Sequence, residues 1–235
     1  MQSTLAEYQE TATQDAFTLQ NSKLLKVSLN QIMIQSKLGA MVAYQGDVKF
    51  EHAGTGGVGK LIKKRVTGEG TTLMKISGTG EVFLADMAQD IHLIKLENDQ
   101  ITCNGQNVLA FDAGIDWDIK RVEGAGRLAG GLFNVVLEGT GKVAVTSDGE
   151  PVLLDTSTPT FADPESAIAW SGGVRTGVRS DVSFKTFTGR GSGESFQVSF
   201  EGDGWVLIQP SEGPTIPEHS HAGEGGGSLG SFFED

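Results

Sequence analysis

The chain contains three segments in which a Gly-x-Gly triplet separates two apolar, alternating runs. The glycine pairs are Gly78 and Gly80, Gly139 and Gly141, and Gly202 and Gly204, so the segments start 61 and 63 residues apart. A nearly constant spacing predicts that one structural unit is used three times. Alternation is typical of β-strands, and glycine lets a strand bend while it keeps its register. The pattern predicts three strand corners around one core; the alternative is three independent hairpins in an ordinary sandwich.

Glycine content and alternation together predict an all-β chain with little helix. Glycine contributes 33 of 235 residues, about twice the usual ~7% share, which suits tight turns that need positive φ angles. Turn-like residues predict hairpins over 40–50 and 91–103, and the best helix candidate spans only 57–66. Residues 1–210 are predicted to form a single β domain. Residues 211–235 lack alternation and are rich in Gly, Ser, Pro and acid, which predicts a flexible acidic tail.

The charge balance argues against one class of partner. The formal net charge is −12, whereas nucleic-acid-binding proteins carry basic surfaces that neutralise phosphates. Nucleic acid and electrostatic docking on anionic lipid are therefore not expected, although other peripheral membrane association stays open. The densest basic cluster is Lys63, Lys64 and Arg65. It is the candidate contact for an anion or RNA, and the alternative is a solvated surface.

Two motifs suggest a cofactor or a metal, and each lacks an essential feature. Residues 54–60 match the phosphate-loop pattern G-x-x-x-x-G-K, but Leu61 replaces the Ser or Thr that would bind magnesium. His219, His221 and Glu224 resemble a cupin-type ligand set, but they lie in the Gly-rich tail rather than on rigid strands. We therefore expect no metal and no cofactor.

No group of residues predicts catalysis. Asp112, Asp116 and Asp118 alternate with apolar residues, as they do on the solvated face of a strand, and neither His nor Ser lies nearby in sequence to complete a triad. The single cysteine, Cys103, has no neighbouring base that would activate it. The chain is therefore expected not to be an enzyme.

The first residues of the sequence and the length of its apolar runs predict the compartment of the protein. The first residues, MQSTLAEY, lack the basic region and apolar core of a signal peptide. No run approaches the roughly 20 apolar residues that a membrane-spanning helix needs. The expected compartment is the cytoplasm, with no integral membrane segment.

Five segments combine glycines with apolar positions: GAMVAYQGD at 39–47, LMKISGTGEVF at 73–83, VLAFD at 108–112, GGLF at 130–133 and LEGTG at 137–141. Together they resemble the altered inheritance of mitochondria protein 24 family, and their residues are similar to those of bacterial, actinobacterial members. The resemblance covers about residues 15–210. These residues are glycines and apolar positions of the backbone framework. They identify a family better than they identify an activity.

The resemblance implies a double-stranded β-helix or β-sandwich of the type shared with the tryptophan RNA-binding attenuation protein. That protein binds RNA through basic rim residues, and here only Lys63, Lys64 and Arg65 could play that part. Mitochondrial relatives are associated with inner-membrane organisation, which points to scaffolding. The resemblance carries no catalytic residues.

These observations support three hypotheses of function. The leading one is a non-enzymatic structural or protein-interaction module that associates with itself and with an unknown protein partner, because repeated β units with exposed edges tend to be closed by partner subunits. The second is a ligand-binding or RNA-binding module, by analogy of fold. The third is a cupin-like metalloprotein.

Overall fold

The computed structural model describes residues 4–13, 15–52, 73–121, 133–180 and 196–211. Within these ranges there are fourteen β-strands and two short 3-10 helices, at Thr4–Tyr8 and Gly105–Asn107. The strands are β1 (Phe17–Asn21), β2 (Leu24–Lys37), β3 (Met41–His52), β4 (Leu73–Leu84), β5 (Asp90–Asn104), β6 (Val108–Asp112), β7 (Asp116–Arg121), β8 (Phe133–Ser147), β9 (Val152–Asp155), β10 (Thr160–Ala162), β11 (Ala167–Ser171), β12 (Arg175–Ser180), β13 (Phe196–Glu201) and β14 (Trp205–Ile208). The all-β prediction is confirmed. The helix candidate at 57–66 lies outside the described residues.

The strands form two antiparallel sheets in a sandwich-like arrangement. The larger sheet runs β3-β4-β2-β6-β8-β5-β11-β14-β9, with β1 paired to β2 and β7 paired to β8. The smaller sheet has the order β10-β13-β12. Apolar residues pack into three buried clusters, one around Ile76 and Val82, one around Phe111 and Leu137, and one around Phe200. Burial of these side chains is the main favourable contribution to folding.

The first Gly-x-Gly triplet lies inside β4, where three strands approach one another closely. Gly80 is paired with Gly46 of β3, and Gly78 is paired with Val48. Gly78 and Gly80 have φ angles of +122° and +147°. A Cβ atom on Gly46 would lie 2.6 Å from the Thr79 carbonyl oxygen. No side chain fits between these backbones, so only glycine allows the two strands to meet here.

A bulge in the neighbouring strand accompanies this triplet. The register of β2 against β4 shifts between Asn30 and Met33, opposite Thr79 and Ser77. Within the bulge, Gln31 adopts a φ angle of +60°, which a residue other than glycine rarely adopts. A bulge lengthens one strand relative to its partner and bends the pair.

The second triplet lies inside β8 and, like the first, is opposite a bulge in the neighbouring strand. Gly139 and Gly141 have φ angles of +133° and +156°. Opposite them the register of β5 shifts between Glu97 and Asp99, and Asn98 has a φ angle of +55°. The Asn98 backbone N–H donates to Thr140 Oγ1 at 2.9 Å, which holds the bulge against the triplet.

The third triplet differs because the strand is interrupted there. Gly202 and Gly204 lie between β13, in the smaller sheet, and β14, in the larger sheet. Thr156 spans this bend: its N–H donates to the Gly204 carbonyl at 3.0 Å and its Oγ1 donates to the Gly202 carbonyl at 2.9 Å. The triplet thus joins the two sheets.

Both of the hairpins named from the sequence are wrong. Residues 40–50 belong mainly to the single strand β3, and residues 91–103 all lie in β5. Turn-forming residues are present, but Gly46 and Asn98 use their positive φ angles for a bend and a bulge rather than for a chain reversal. Each bent strand keeps pairing with the same neighbour on both sides of its bend.

A buried lysine attaches the N-terminal segment to the large sheet. Lys26 of β2 is only 3% exposed; its ammonium group forms ion pairs with Glu10 and with Glu81 of β4, and donates to the Thr11 carbonyl at 3.0 Å. Burial lowers the pKa of Lys26, but hydrogen bonds and charge attraction from the two carboxylates outweigh burial and raise it above its ordinary value. Lys26 therefore stays charged and ties residues 10–11 to the strands.

We expect Gly78→Ala to destabilise the fold by about 3 kcal/mol or more, because the new Cβ would overlap the Asp47 carbonyl and the positive φ angle would be strained. Urea unfolding followed by tryptophan fluorescence would measure the loss. Gly114→Ala is the matched control, since a Cβ at Gly114 meets no atom within 4 Å. A Gly78→Ala variant as stable as this control would contradict the close-approach explanation.

Candidate functional site

The strand β3 lies at the end of the large sheet and presents an unusual apolar row. In the described residues β3 pairs on one side only, with β4. Tyr44 is paired with Val82, and Val82 is paired in turn with Val27 of β2. Val82 and Val27 are fully buried, whereas Tyr44 at the end of the same row is 51% exposed. The core-facing row of the sheet therefore continues to the edge without a cover among the described residues.

Phe50 ends a second row of the same kind. It is paired with the fully buried Ile76 and is itself 36% exposed. Its ring meets that of Tyr44 edge-on, with 5.2 Å between the centroids and an angle of 69° between the planes. Val42, which is 58% exposed, lies near the start of the strand. We call β3 with these side chains the β3 edge.

The opposite side of the β3 edge carries alternating charges. Asp47, Lys49 and Glu51 follow one another at every second position, and all three are exposed. Side chains at every second position of a strand share one face. The strand therefore has an aromatic side and a charged side, with an unpaired backbone edge between them in the described part of the chain.

A first polar groove, of about 370 Å³, includes Lys37, Asp86, Asn107 and Gln209 in its lining. We call it the Lys37 groove. Lys37 Nζ is bound to Asp86 Oδ2 and to the Gln106 carbonyl, and Asn107 donates to the Thr146 carbonyl at 2.8 Å. Gln209 accepts from the Asp148 N–H and donates to the Glu165 carbonyl. These groups already hold one another, so the groove is stabilised by its own contacts.

A second polar groove, of about 310 Å³, differs from the first in charge and in hydrogen bonding. We call it the Lys120 groove. It lies between β5, β7, β8, β11 and β12, and none of the described residues that line it is an Asp or a Glu. The lining consists of Gln100, Thr102, Lys120, Asn134, Val136, Trp170, Gly172, Val174, Arg175 and Thr176. Two of these residues are cations, in a chain whose net charge is −12.

A histidine and a serine come within hydrogen-bond distance, but their geometry is not that of a nucleophile and its base. His92 Nε2 lies 2.7 Å from Ser147 Oγ, and Ser147 Oγ donates to the Gly149 carbonyl at 2.6 Å. Because the hydroxyl has a single hydrogen, which goes to the carbonyl, His92 must donate to the serine oxygen. Ser147 is also fully buried. The pair joins β5 to β8 and does not activate a nucleophile.

The single thiol is also inaccessible. Cys103 is fully buried in the cluster around Phe111 and Leu137, and burial raises its pKa to about 12. A thiol with such a pKa is almost entirely protonated at neutral pH and is a poor nucleophile. Within the described residues, no group of three His, Cys, Asp or Glu side chains could hold a metal ion.

Several sequence candidates lie outside the described residues, and others have structural positions. Lys63, Lys64 and Arg65 fall in the undescribed range 53–72, and His219, His221 and Glu224 fall in 212–235, as does nearly all of the predicted tail. The predicted corners at Gly78, Gly80, Gly139 and Gly141 lie inside β4 and β8, and Gly202 and Gly204 lie between β13 and β14. Asp112 is bound next to the second triplet, because its Oδ2 accepts a hydrogen bond at 2.6 Å from the N–H of Lys142, the residue after Gly141.

The sequence patterns did not predict the Lys120 groove or the β3 edge. The groove residues Lys120, Asn134 and Arg175 come from three strands, and no local motif links them. The β3 edge did leave a signal, namely the alternation of Tyr44, Val48 and Phe50 with charged residues. That alternation indicates a strand but does not say that the strand lies at the end of a sheet.

Comparison with known proteins gives a family and a fold. The family model described as "Mitochondrial biogenesis AIM24" matches residues 17–211. No curated protein matches the chain. A Streptococcus pyogenes protein, whose X-ray crystal structure was determined by a structural genomics consortium, is 23% identical with a TM-score of 0.64. The match covers 82% of this chain and 91% of that one, and at this identity it establishes the fold alone.

Burial lowers the pKa of His92 below its ordinary value of 6.5, although the nearby Asp90 charge opposes the shift. As the pH falls through 6.5, the unfolded chain takes up a proton on this histidine before the folded protein does. We therefore expect acidification from pH 8 to pH 5 to lower the free energy of unfolding. The variant His92→Gln, which keeps an N–H donor for Ser147, should lose less stability over this range in urea titrations. An identical pH dependence in the variant would contradict this role of His92.

Proposed function

The chain belongs to the AIM24 family, and on that premise we propose that it is a non-enzymatic structural module that associates with itself and holds a protein partner. We propose the cytoplasm as its compartment. Among the described residues, none of the helices has the length and apolar character that a membrane crossing requires. The family's description names mitochondrial biogenesis, and a scaffolding role is consistent with a chain whose recognisable residues serve the backbone.

The observation that carries this proposal is the uncovered apolar row of the β3 edge. Tyr44 and Phe50 continue rows that are fully buried one strand further in. An exposed strand edge offers backbone N–H and C=O groups to another strand, and proteins usually protect such edges or use them for association. A second strand laid against β3 would extend the large sheet and cover both aromatic rings.

The charges on β3 suit a second copy of the same strand in one register. If two β3 strands pair antiparallel about a two-fold axis at Val48, Asp47 of each copy faces Lys49 of the other. Phe50 then faces Gly46, an arrangement in which an aromatic ring covers the bare backbone of a glycine. The interface is isologous, as most homodimer interfaces are.

Neighbouring registers are less favourable. An axis at Asp47 places the two Asp47 carboxylates opposite each other. An axis at Lys49 opposes the two Lys49 side chains and also sets Asp47 against Glu51 of the other copy. Like charges directly opposite each other destabilise a strand pair. The axis at Val48 gives two opposite-charge pairs and overlaps residues 44–52 of both copies.

The described titratable groups also support a non-enzymatic role. Ser147 is buried and donates its hydrogen to a carbonyl, and Cys103 has a pKa of about 12. Neither group offers a nucleophile. The cupin-like alternative rests on His219, His221 and Glu224, which lie outside the described residues. Metal analysis of the chain truncated after Pro210, which lacks all three residues, would separate that alternative from the proposal.

We expect the wild-type protein to form dimers in light scattering measured over a concentration series. Asp47→Lys should weaken the dimer, because the introduced ammonium group of each copy would face Lys49 of the other copy. Lys49→Asp should weaken it as well, because the introduced carboxylate of each copy would face Asp47 of the other. The double variant Asp47→Lys/Lys49→Asp restores opposite charges at both positions and should restore the dimer.

Lys95→Glu serves as the control, since Lys95 is exposed on β5 and pairs with Glu97, away from β3. It should dimerise like the wild type. A wild-type protein that stays monomeric at all concentrations would contradict self-association. A stable dimer that is insensitive to both single charge reversals would instead contradict the β3 interface and leave self-association standing.

A further inference from the structure

We propose that the Lys120 groove binds a small organic anion that carries a phosphate or carboxylate group together with hydroxyl groups. This site goes beyond the scaffold function, and it involves none of the residues of the β3 edge. It also gives the ligand-binding alternative a definite location. Three properties of the groove favour such a ligand: its charge, its unused hydrogen-bonding groups and its rigid wall.

The charge of the groove selects for anions. Lys120 of β7 and Arg175 of β12 both line it, and the part of its lining that the structure describes contains no carboxylate. Neither cation forms an ion pair or a side-chain hydrogen bond with any residue that the structure describes. Both side chains are exposed, so each can reach an anion that enters the groove from solvent. Arg and Lys are the side chains that most often bind phosphate and carboxylate.

The polar groups between these cations have hydrogen-bonding capacity that the protein does not use. Asn134 of β8 is only 9% exposed, yet its side-chain amide forms no hydrogen bond within the described residues. The hydroxyls of Thr102 and Thr176 are likewise without a side-chain hydrogen bond in the described parts of the chain. No buried side-chain nitrogen or oxygen of the described residues lacks a hydrogen-bond partner, so the unpartnered amide of Asn134 is accessible to the solvent that fills the groove. Polar groups that are hydrated at a cavity wall are suited to a ligand that replaces their water.

The Lys37 groove provides the internal comparison. Its lysine is paired with Asp86, and its amides of Asn107 and Gln209 are bound to neighbouring backbone groups. The two grooves have similar volumes, about 370 and 310 Å³, but only the Lys120 groove combines unpaired cations with an unused, nearly buried amide. Polarity alone therefore does not mark the site; unused hydrogen-bonding capacity does.

The wall of the Lys120 groove is rigid, which lowers the entropic cost of binding. Trp170 of β11 is 5% exposed and packs edge-on against Phe200, with 5.2 Å between the ring centroids. Thr102 of β5 is paired on one side with Val136 and on the other with Trp170, so three neighbouring strands present one continuous floor. Pyranose-sized anions are of a suitable size for a cavity of about 310 Å³.

Isothermal titration calorimetry of the full chain tests the site with four probes: glucose 6-phosphate, glucose, inorganic phosphate and citrate. We expect glucose 6-phosphate to bind at least tenfold more tightly than glucose, since a charge-assisted hydrogen bond contributes more than a neutral one. Inorganic phosphate, which has the charge without the hydroxyl-bearing ring, should bind more weakly than glucose 6-phosphate. Citrate distinguishes a preference for carboxylate from one for phosphate.

The variant Lys120→Gln/Arg175→Gln should weaken binding of the preferred anion at least tenfold and should keep the wild-type thermal stability, because neither cation has a partner to lose among the described residues. Asn134→Leu should also weaken binding, and Lys95→Gln is the matched control that should bind like the wild type. Raising the salt concentration should weaken binding to the wild type. Failure of both glucose 6-phosphate and citrate to bind, or equal binding to the double variant, would overturn the proposal.

Discussion

The close approach of two backbones at the first Gly-x-Gly triplet is the constraint on which the rest of the structure depends. Gly46 of β3 is paired with Gly80 of the adjacent strand β4, and a Cβ atom on either residue would collide with a carbonyl oxygen of the other strand. The bulge at Gln31 in β2 lies beside the same triplet, so two neighbouring strands bend together. Because long strands bend instead of ending, eleven of the described strands belong to one sheet. Bends and bulges of this kind curve a sheet.

The sequence predicted the class of this fold from features that are local. Alternation around Ile76, Val82 and Leu137 identified strands and their buried side, and the family resemblance agreed with the match over residues 17–211. The sequence did not distinguish a bend from a reversal at Gly46 or Asn98, because both need a residue with positive φ. That choice is made by the neighbouring strand, which is distant in sequence. The threefold repetition and the likeness to the attenuation protein stay predictions.

The candidate sites were harder to predict than the fold, for a related reason. Lys120, Asn134 and Arg175 look like ordinary strand residues. The pairing of β7 with β8 sets Lys120 opposite Asn134, whereas Arg175 comes from β12 of the smaller sheet. The cavity is distinguished by polar groups that form no hydrogen bond with the described residues, and a sequence does not show which contacts a side chain lacks. The β3 edge is similar, since the exposure of Tyr44 follows from its place in the strand order.

The burial of Cys103 has a consequence for where a chain of this kind can work. The protein has a single thiol, so it has no internal disulfide to gain or lose, and that thiol is shielded by the sheet. Among the described residues, non-covalent interactions stabilise the fold, namely strand packing, close contacts at glycines and the ion pairs of Lys26. The folded chain is therefore indifferent to the thiol–disulfide balance of its surroundings. A reducing and an oxidising compartment would contain the same covalent molecule, and a change of compartment would require no change in its cysteine chemistry.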